Sequence, residues 1–287
     1  QSWSNTSLLS VSDDWSGIPS IIGYRGDDAS LGTGVDPQTL LNPSFSAVVD
    51  VNVNQTAPNT YATGGVTEFE IIDPVVALSG SGTADAPNII IFINTTSVSN
   101  IQIQYNLRDI DGSVDNAVQS VALQYRVGTT GNFTNIPAGY VADASSGPSL
   151  ATLVTPVSVT LPSAAENQSQ LQLRIMTTNA VGNDEWIGID DISISGTTST
   201  VGPTKLAITA INGGNSPSFL WKVNGINNGN NSSSYTYIPV NGDIVTCQLT
   251  SDLTCASGNP ATSNAISMTV NPIAPVSVNI VASANPV

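Results

Sequence analysis

The sequence contains no histidine, and this absence removes several classes of chemistry. Without an imidazole there is no Ser-His-Asp triad, no histidine metal ligand and no histidine acid or base. Basic residues are also scarce, because 6 Lys+Arg stand against 21 Asp+Glu, for a formal net charge of −15. So few positive charges exclude a surface that follows a phosphate backbone, and we expect no nucleic-acid partner.

Long apolar runs are missing as well. No stretch approaches the ~20 residues that a membrane-spanning helix needs, so we expect no membrane insertion. The chain does not start with a basic region followed by an apolar stretch, and Gln1 suits the first residue of a mature secreted protein. We therefore expect an extracellular or cell-surface protein whose signal peptide has been removed.

Hydroxyl and amide side chains take the place of the missing charges. Charged residues are only 9% of the chain, whereas Ser, Thr and Asn together make up 93 of the 287 residues. The hydrophobic fraction of 40% is still enough for real cores, and the composition is typical of secreted β-proteins. Cys247 and Cys255 predict one local disulfide in an oxidising compartment, because two thiols without histidine make a poor metal site.

Apolar and polar residues alternate along much of the chain. One side of a predicted strand carries Ile101, Ile103, Tyr105 and Leu107. This alternation indicates a half-buried strand, since successive side chains of a strand point to opposite faces. Residues 88–94 (NIIIFIN) form a short apolar run between turn formers, which predicts a central strand rather than a helix. The pattern predicts an all-β protein built from antiparallel sandwiches.

A stretch of small polar residues divides the chain. We place a linker at 198–202, between a jelly-roll-like β-sandwich at 1–197 and a smaller Ig-like β-sandwich at 203–272. The last part, 273–287, is predicted to be a C-terminal β-strand extension. In the smaller domain, a tryptophan on the second predicted strand and a cysteine on a later one are typical of the immunoglobulin-like arrangement.

Three segments of the second domain resemble a known repeat. They are 216–225 (SPSFLWKVNG), 241–255 (NGDIVTCQLTSDLTC) and 257–272 (SGNPATSNAISMTVNP). In this order they are similar to the Ig/PKD-like repeats found in tandem in cell-surface adhesins of Bacteroidota, which the type IX secretion system exports. The resemblance implies an adhesin or filament protein whose partners are further Ig-like repeats or other copies of itself.

The first domain resembles another module of the same secreted proteins. Its matching segments are 2–26 (SWSNTSLLSVSDDWSGIPSIIGYRG), 105–128 (YNLRDIDGSVDNAVQSVALQYRVG) and 183–196 (NDEWIGIDDISISG). In relatives this module stands ahead of Ig-like repeats or of an extracellular nuclease domain. The nuclease's own set of histidine and aspartate residues is missing here, so its activity does not carry over.

The resemblance to the repeat fails at one point. A typical repeat opens with a strand similar to VSVNIVASANPV, but here the small polar stretch comes directly before the strand at Lys205–Ala210. A segment of that character lies instead at 276–287, with Val276, Val278 and Ile280 at alternate positions. Two explanations stay open. The segment begins the next repeat of a tandem array, or it is a donor strand that completes the sandwich of another subunit.

Clustered carboxylates suggest a site for a hard cation. Asp109, Asp111, Ser113 and Asp115 supply oxygens at alternate positions, with Gly112 for a sharp bend, as the ligands of Ca²⁺ loops do. The spacing does not fit an EF-hand, so only a generic Ca²⁺ loop is predicted. A polar hairpin loop without a metal explains the same residues equally well.

Asp190 is a fourth candidate ligand. It shares strand parity with Trp186 and Ile192, so the carboxylate is predicted to face the core. A buried carboxylate needs a cation, several N–H donors or an arginine, and Arg108 and Arg174 are the candidates. We therefore predict a Ca²⁺ site formed by some of these four aspartates, and no other cofactor.

The residues do not favour catalysis. Glu68 and Glu70 share one face of a strand, but no flanking motif supports a glycosidase pair. Trp3, Trp15 and Trp186 could stack against sugars, although their apolar neighbours favour packing in the core. We predict a non-enzymatic surface protein, an adhesin or filament subunit. The alternative is a carbohydrate-binding or accessory module of a secreted hydrolase or nuclease, with a surface glycan as its partner.

Overall fold

A computed structural model describes residues 1–27, 31–113, 117–147, 149–198 and 202–270. The chain divides into two compact units, the first comprising Gln1–Thr197 and the second beginning at Thr198. All helices in the described residues are 3-10 turns of three or four residues, so the prediction of an all-β protein is confirmed. Among these residues, no helix has the length and apolar character needed to cross a membrane.

Eleven strands are described in the first unit. They are β1 Ile21–Tyr24, β2 Asn52–Gln55, β3 Gly65–Phe69, β4 Val75–Ser79, β5 Asn88–Ile93, β6 Val98–Asp109, β7 Val121–Val127, β8 Thr134–Asn135, β9 Val154–Thr160, β10 Leu171–Thr177 and β11 Ile187–Thr198. The 3-10 helices are η1 Thr6–Leu8, η2 Pro37–Thr39, η3 Pro43–Ser46, η4 Pro58–Thr60, η5 Pro137–Gly139 and η6 Ser163–Ala165.

These strands form two sheets packed face to face. One is five-stranded, in the order β1-β5-β10-β7-β8, and the other is six-stranded, in the order β2-β3-β4-β11-β6-β9. From β4 onward the chain crosses repeatedly between the sheets, since β5, β7 and β10 belong to one and β6, β9 and β11 to the other. Repeated crossing between two sheets is the jelly-roll pattern.

The core lies between the two sheets. The predicted inward residues of β6, Ile101, Ile103, Tyr105 and Leu107, are all buried in it. The apolar run at 88–94 forms β5, which pairs with β1 on one side and with β10 on the other. The first feature confirms the prediction from alternation, and the second confirms the prediction from the apolar run.

The N-terminal residues close one end of this core. Trp3 and Trp15 are buried and pack edge to face, with ring centroids 6.4 Å apart. The indole N–H of Trp3 donates to the carbonyl of Ile189 on β11 at 2.6 Å, and the ammonium of Gln1 donates to Ile192. Both tryptophans are therefore core residues, and neither is available to stack against a sugar.

Asp50 joins the two sheets near β1 and β3. Its backbone N–H donates to the carbonyl of Gly23 on β1, and its Oδ2 accepts the N–H of Val66 on β3 at 2.7 Å. Gly65 has φ +117°, and a Cβ there would lie 2.2 Å from this oxygen, so only glycine allows the carboxylate so close. Burial raises the pKa of Asp50 to about 6, although the Val66 hydrogen bond opposes the shift.

Seven strands are described in the second unit. They are β12 Thr204–Ala207, β13 Ser218–Val223, β14 Ile226–Asn227, β15 Ser234–Tyr237, β16 Ile244–Thr250, β17 Ala261–Thr262 and β18 Ile266–Ser267. Strands β12 and β15 form a two-stranded sheet, and the others form a sheet around β13 and β16. Trp221 on β13 lies opposite Cys247 on β16 and stacks on Tyr235, which gives the small core an immunoglobulin-like centre.

The structure does not form the predicted disulfide. Cys247 is a buried free thiol in the middle of β16, whereas Cys255 is an exposed free thiol in the loop after this strand. Ser263 occupies the position beside Cys247, because its N–H donates to the Cys247 carbonyl at 2.9 Å and its hydroxyl accepts the Cys247 N–H. Cys255 lies in the loop beyond the end of β16 rather than opposite Cys247. A disulfide would require the Cα atoms of the two cysteines to lie within about 7 Å of each other.

Asp50 gives a prediction about stability and pH. Its pKa is raised in the folded state, so its stabilising contribution is present at low pH and is lost as the pH rises through about 6. Between pH 7 and pH 5 the free energy of unfolding of the wild type should rise by about 1 kcal/mol relative to Asp50→Asn. Urea denaturation of both proteins at pH 5, 6 and 7 measures this difference. A difference that stays constant with pH would show that Asp50 does not titrate there.

Candidate functional site

The outer face of the five-stranded sheet carries polar residues that are buried. Two rows cross this face in register, with Phe92, Gln172 and Arg126 in one and Ile90, Arg174 and Gln124 in the next. The residues between them along each strand point into the core. This sheet is therefore covered on both sides over part of its area.

Residues 35–46, the cover segment, lie over the second row. Its two 3-10 helices, η2 and η3, each begin with proline, and the side chains of Asp36 and Asn42 cap them by accepting a backbone N–H two residues later. Leu40, between these helices, packs against Met176 on β10. The segment is thus shaped by its own local sequence and attached to the sheet by an apolar contact.

Arg174 attaches the cover segment more firmly. The side chain is completely buried and donates from Nη1 to the carbonyl of Asn42 at 3.0 Å and from Nη2 to the carbonyl of Leu40. Its Nε donates to Oε1 of Gln124 at 2.8 Å. Each of these acceptors is a neutral oxygen, so the hydrogen bonds satisfy the guanidinium without neutralising its charge.

A second arginine lies next to the first. The guanidinium carbons of Arg126 and Arg174 lie 4.4 Å and 3.9 Å from the ring centroid of Phe133, within the range of cation–π contacts. Arg126 is 9% exposed and donates to Oε1 of Gln172 at 2.6 Å and to the carbonyl of Gly131 at 2.8 Å. Its Nε is buried and has no hydrogen-bond partner among the described residues.

These arginines leave positive charge on this face. In the described part of the chain, the ion pairs involve Arg25 and Arg108, and no carboxylate pairs with Arg126 or Arg174. Burial lowers the pKa of Arg174, and the charge of Arg126 lowers it further. Arginine nevertheless remains charged at neutral pH. The face is therefore locally positive in a chain whose formal net charge is −15.

A pocket of about 250 Å³ opens beside this row, where β5 ends and β10 begins. Its lining includes Phe92, Thr129, Ser169, Gln170 and Gln172. Because Arg126 holds Oε1 of Gln172, the amide Nε2 of that residue is left as a donor for the pocket. One half-buried aromatic ring among amides and hydroxyls suits a ligand with an apolar face and a rim of hydroxyl groups.

The predicted Ca²⁺ loop has partners within the protein. Oδ2 of Asp109 accepts the N–H and the hydroxyl of Ser146 at 2.7 and 2.9 Å, and Oδ1 accepts the N–H of Asp111 at 3.1 Å. The carboxylate of Asp111 accepts the N–H of Ser113 at 2.9 Å. Asp115 lies outside the described residues. Burial raises the pKa of Asp109, while the hydrogen bonds from Ser146 oppose this shift.

Asp190 is buried, as predicted, and pairs with Arg108, one of its two predicted partners, but it lies on the outer side of the sheet. Its Oδ2 lies 2.6 Å from Nη1 of Arg108, whose strand neighbours in β6 point into the core. Asn106, two residues before that arginine, donates to Asp191 at 3.0 Å, so both aspartates lie on the outer side of the sheet. Ile187, Ile189 and Ile192 all lie in the core, so the alternation changes phase between Ile189 and Ile192, where Asp191 has φ +51°.

Among the predicted Ca²⁺ ligands that the structure describes, Asp109, Asp111 and Asp190 do not form a metal site. In the described ranges, no group of three or more acidic or cysteine side chains is arranged to hold a metal ion. Asp109 is bonded to Ser146, and Asp190 is bonded to Arg108. Ca²⁺ binding therefore stays a prediction.

Phe92, Gln172 and Arg126 are not among the residues predicted from the sequence. The aromatic candidate Trp186 is 2% exposed and belongs to the core. The sequence of β10 contains a pattern that bears on this layer. Gln172 and Arg174 alternate there with core residues, in a strand that the structure shows to be buried throughout. Alternation alone places such residues on a solvent-facing side, so it does not reveal that a second layer covers them.

Comparisons with known proteins give matches of limited extent. No protein-family profile and no curated protein sequence matches the chain. A carbohydrate-binding module, CBM28, specific for non-crystalline cellulose, aligns with a TM-score of 0.36 and 11% identity over 50% of this chain and 86% of its own. TmCBM61, solved with β-1,4-galactotriose, aligns with a TM-score of 0.28 and 9% identity over 43% of this chain and 71% of its own.

A hydrolase also aligns in part. The isomalto-dextranase of Arthrobacter globiformis T6, complexed with panose, gives a TM-score of 0.25 and 19% identity over 50% of this chain and 24% of its own. These TM-scores are all below 0.5, so the function proposed below rests on the residues of this chain.

Arg174 gives a prediction about the cover segment. Arg174→Met removes the donors to Leu40, Asn42 and Gln124 and leaves their oxygens buried, so the free energy of unfolding should fall by about 3 kcal/mol. Urea denaturation measures this loss. Arg25→Met is the control, because the Arg25 side chain is 41% exposed, and its removal should cost less than about 0.5 kcal/mol. Equal losses would show that Arg174 does not anchor the segment.

Proposed function

We propose that the first unit is a glycan-binding module of a non-enzymatic extracellular protein. Phe92 and Gln172 carry this proposal, since these cross-strand neighbours place an aromatic ring beside a fixed amide in one pocket. A sugar ring has an apolar face that can pack on Phe92 and hydroxyl groups that can bond Gln172 and its neighbours. Because Arg126 already holds Gln172, little side-chain entropy is lost when a ligand binds.

The same pocket supports binding better than catalysis. Glycoside hydrolysis usually needs two carboxylates that flank the scissile bond. The lining residues of this pocket offer amides, hydroxyls and an aromatic ring instead. Glu68, which was considered with Glu70 as a glycosidase pair and set aside, is buried and accepts the N–H of Asn54 at 2.7 Å, so its carboxylate links β2 to β3.

The proposal includes a cellular setting that comes from the sequence resemblance. A type IX-secreted adhesin would present the first unit to glycans on a surface, with the Ig-like unit as a spacer or assembly module. The alternative, an accessory module of a secreted hydrolase or nuclease, shares the glycan-binding pocket and differs in the domain to which it is joined.

Phe92→Ala tests the pocket. The full chain is first screened on a glycan array, and the affinity of the strongest ligand is then measured by calorimetry. We expect the substitution to weaken binding about tenfold, since the loss of one aromatic packing surface is worth about 1.4 kcal/mol. Gln104→Ala, an exposed polar residue on the outer face of the other sheet, is the control and should bind like the wild type. Equal affinities of Phe92→Ala and wild type would place the binding site elsewhere.

A second candidate function, assembly through strand addition, is favoured by the second unit. Among the described residues β12 pairs only with β15, so its other edge is open. Beside this edge lies a narrow cleft of about 70 Å³, which reaches the core. The cleft is lined on one side by Leu206 and Ile208, on the other by Asn264 and Ile266, and at its base by Trp221, Val245 and Cys247. An open edge next to accessible core residues is a template for another strand.

We propose the C-terminal segment of a neighbouring copy as the added strand. The predicted donor residues Val276, Val278 and Ile280 lie outside the described residues, and their apolar alternation is a feature of the sequence. A segment with this alternation can pair with β12 and direct its apolar side chains into the cleft. Such a contact is heterologous and does not close, so it would build a filament.

Two single substitutions test this assembly. Val278→Asp puts a charge on the inserted side of the strand and should abolish polymers seen by sedimentation velocity and negative-stain microscopy. Asn279→Asp adds the same charge on the opposite side and should leave them intact. Deletion of 273–287 should act like Val278→Asp. A full chain that stays monomeric at high concentration, or a deletion that still polymerises, would contradict strand addition.

A further inference from the structure

We propose that the pocket beside Arg126 selects acidic glycans, those whose sugars carry a carboxylate, over neutral ones. This inference rests on the proposed glycan-binding function and adds the chemical class of the ligand. Its basis is that Arg126 and Arg174 are both buried near the pocket. Among the described residues, no carboxylate forms an ion pair with either of them.

Burial of two uncompensated guanidinium groups side by side costs free energy. The shared contact with Phe133 keeps Arg126 and Arg174 close, and each charge opposes the other. Carbonyl and amide oxygens satisfy most of their N–H groups, but these acceptors leave the net charge in place. A carboxylate bound near them would supply the missing countercharge and would be held more strongly than a neutral group in the same position.

Arg126 lies one side chain away from the ligand. It is bonded to Gln172, which lines the pocket, and its Nε–H has no partner. A carboxylate that enters beside Gln172 comes close to the charge of this guanidinium, while Gln172 keeps its bond to Arg126 and offers its free amide Nε2 to the sugar hydroxyls. Arg174, which is completely buried, acts only through its charge.

The overall negative charge of the chain does not prevent this selection. At physiological ionic strength the Debye length is about 8 Å, so exposed acidic residues farther away are largely screened. A buried charge next to the pocket is screened much less, so the effect of Arg126 on a bound carboxylate dominates. The net negative charge of the chain therefore predicts slow association with a polyanion. The buried arginines predict a bound state that is stabilised by their attraction for the carboxylate.

Native affinity electrophoresis of the full chain tests the inference. The gels contain polygalacturonate, alginate or hyaluronan, and matched gels contain the same polymers after chemical reduction of their carboxyl groups. We expect an apparent Kd about tenfold lower for at least one acidic polymer than for its reduced form. Arg126→Gln should abolish this difference, and Arg126→Lys should keep part of it, because the charge remains while the planar fork is lost. Arg25→Gln changes the net charge equally, lies near the opposite end of β5 and should behave like the wild type.

The outcomes separate the inference from the proposed function. If acidic and reduced polymers retard the chain equally, and Phe92→Ala weakens both, the acidic selectivity is wrong and glycan binding stands. If no polymer in either series retards the chain and the glycan array is also blank, both are wrong. An acidic preference that survives Arg126→Gln in a protein whose melting temperature matches the wild type would also overturn the role given to Arg126.

Discussion

The buried guanidinium of Arg174 is the interaction on which the outer layer of the first unit depends. Arg174 holds the cover segment on the five-stranded sheet by donating to the carbonyls of Leu40 and Asn42, which are distant from it in sequence. It also fixes the side chain of Gln124 on the neighbouring strand. The ring of Phe133 packs against Arg174 and also contacts Arg126. Arg126 in turn orients Gln172 at the pocket by a hydrogen bond. The burial of one charge thus organises a polar layer that reaches the candidate site.

This polar layer explains why the sheet is covered on both faces. A cover segment held only by Leu40 and its apolar neighbours would have a small contact area. The hydrogen bonds of Arg174 give it a defined position, since an unsatisfied guanidinium in the interior would be very costly. The result is a sheet whose outer face is closed beneath the cover segment and open at the pocket beside it.

Alternation in the sequence predicted the strands and the main core, because a two-residue period is a local property of a half-buried strand. β6 shows this clearly, and β5 was correctly placed between two neighbours. The same rule failed for the orientation of Asp190, because the alternation changes phase around Asp191, although Arg108, 82 residues away, was named as a possible partner. Arg174, the other predicted partner of Asp190, instead donates to the carbonyl of Asn42, which is 132 residues away. Contacts between such distant residues leave no local pattern to recognise.

The hydrogen bonds between the N-terminal residues and β11, the last strand of the first unit, have a consequence for folding. Trp3 bonds Ile189 across 186 residues of chain, and Gln1 bonds Ile192 across 191. Because the strands between them cross repeatedly from sheet to sheet, few contacts are local, and a fold with high contact order forms slowly. Trp3 cannot bond Ile189 on β11 until nearly the whole unit has left the ribosome. The unit therefore remains an incomplete sandwich throughout most of its synthesis, and its core closes only when the last strand is available.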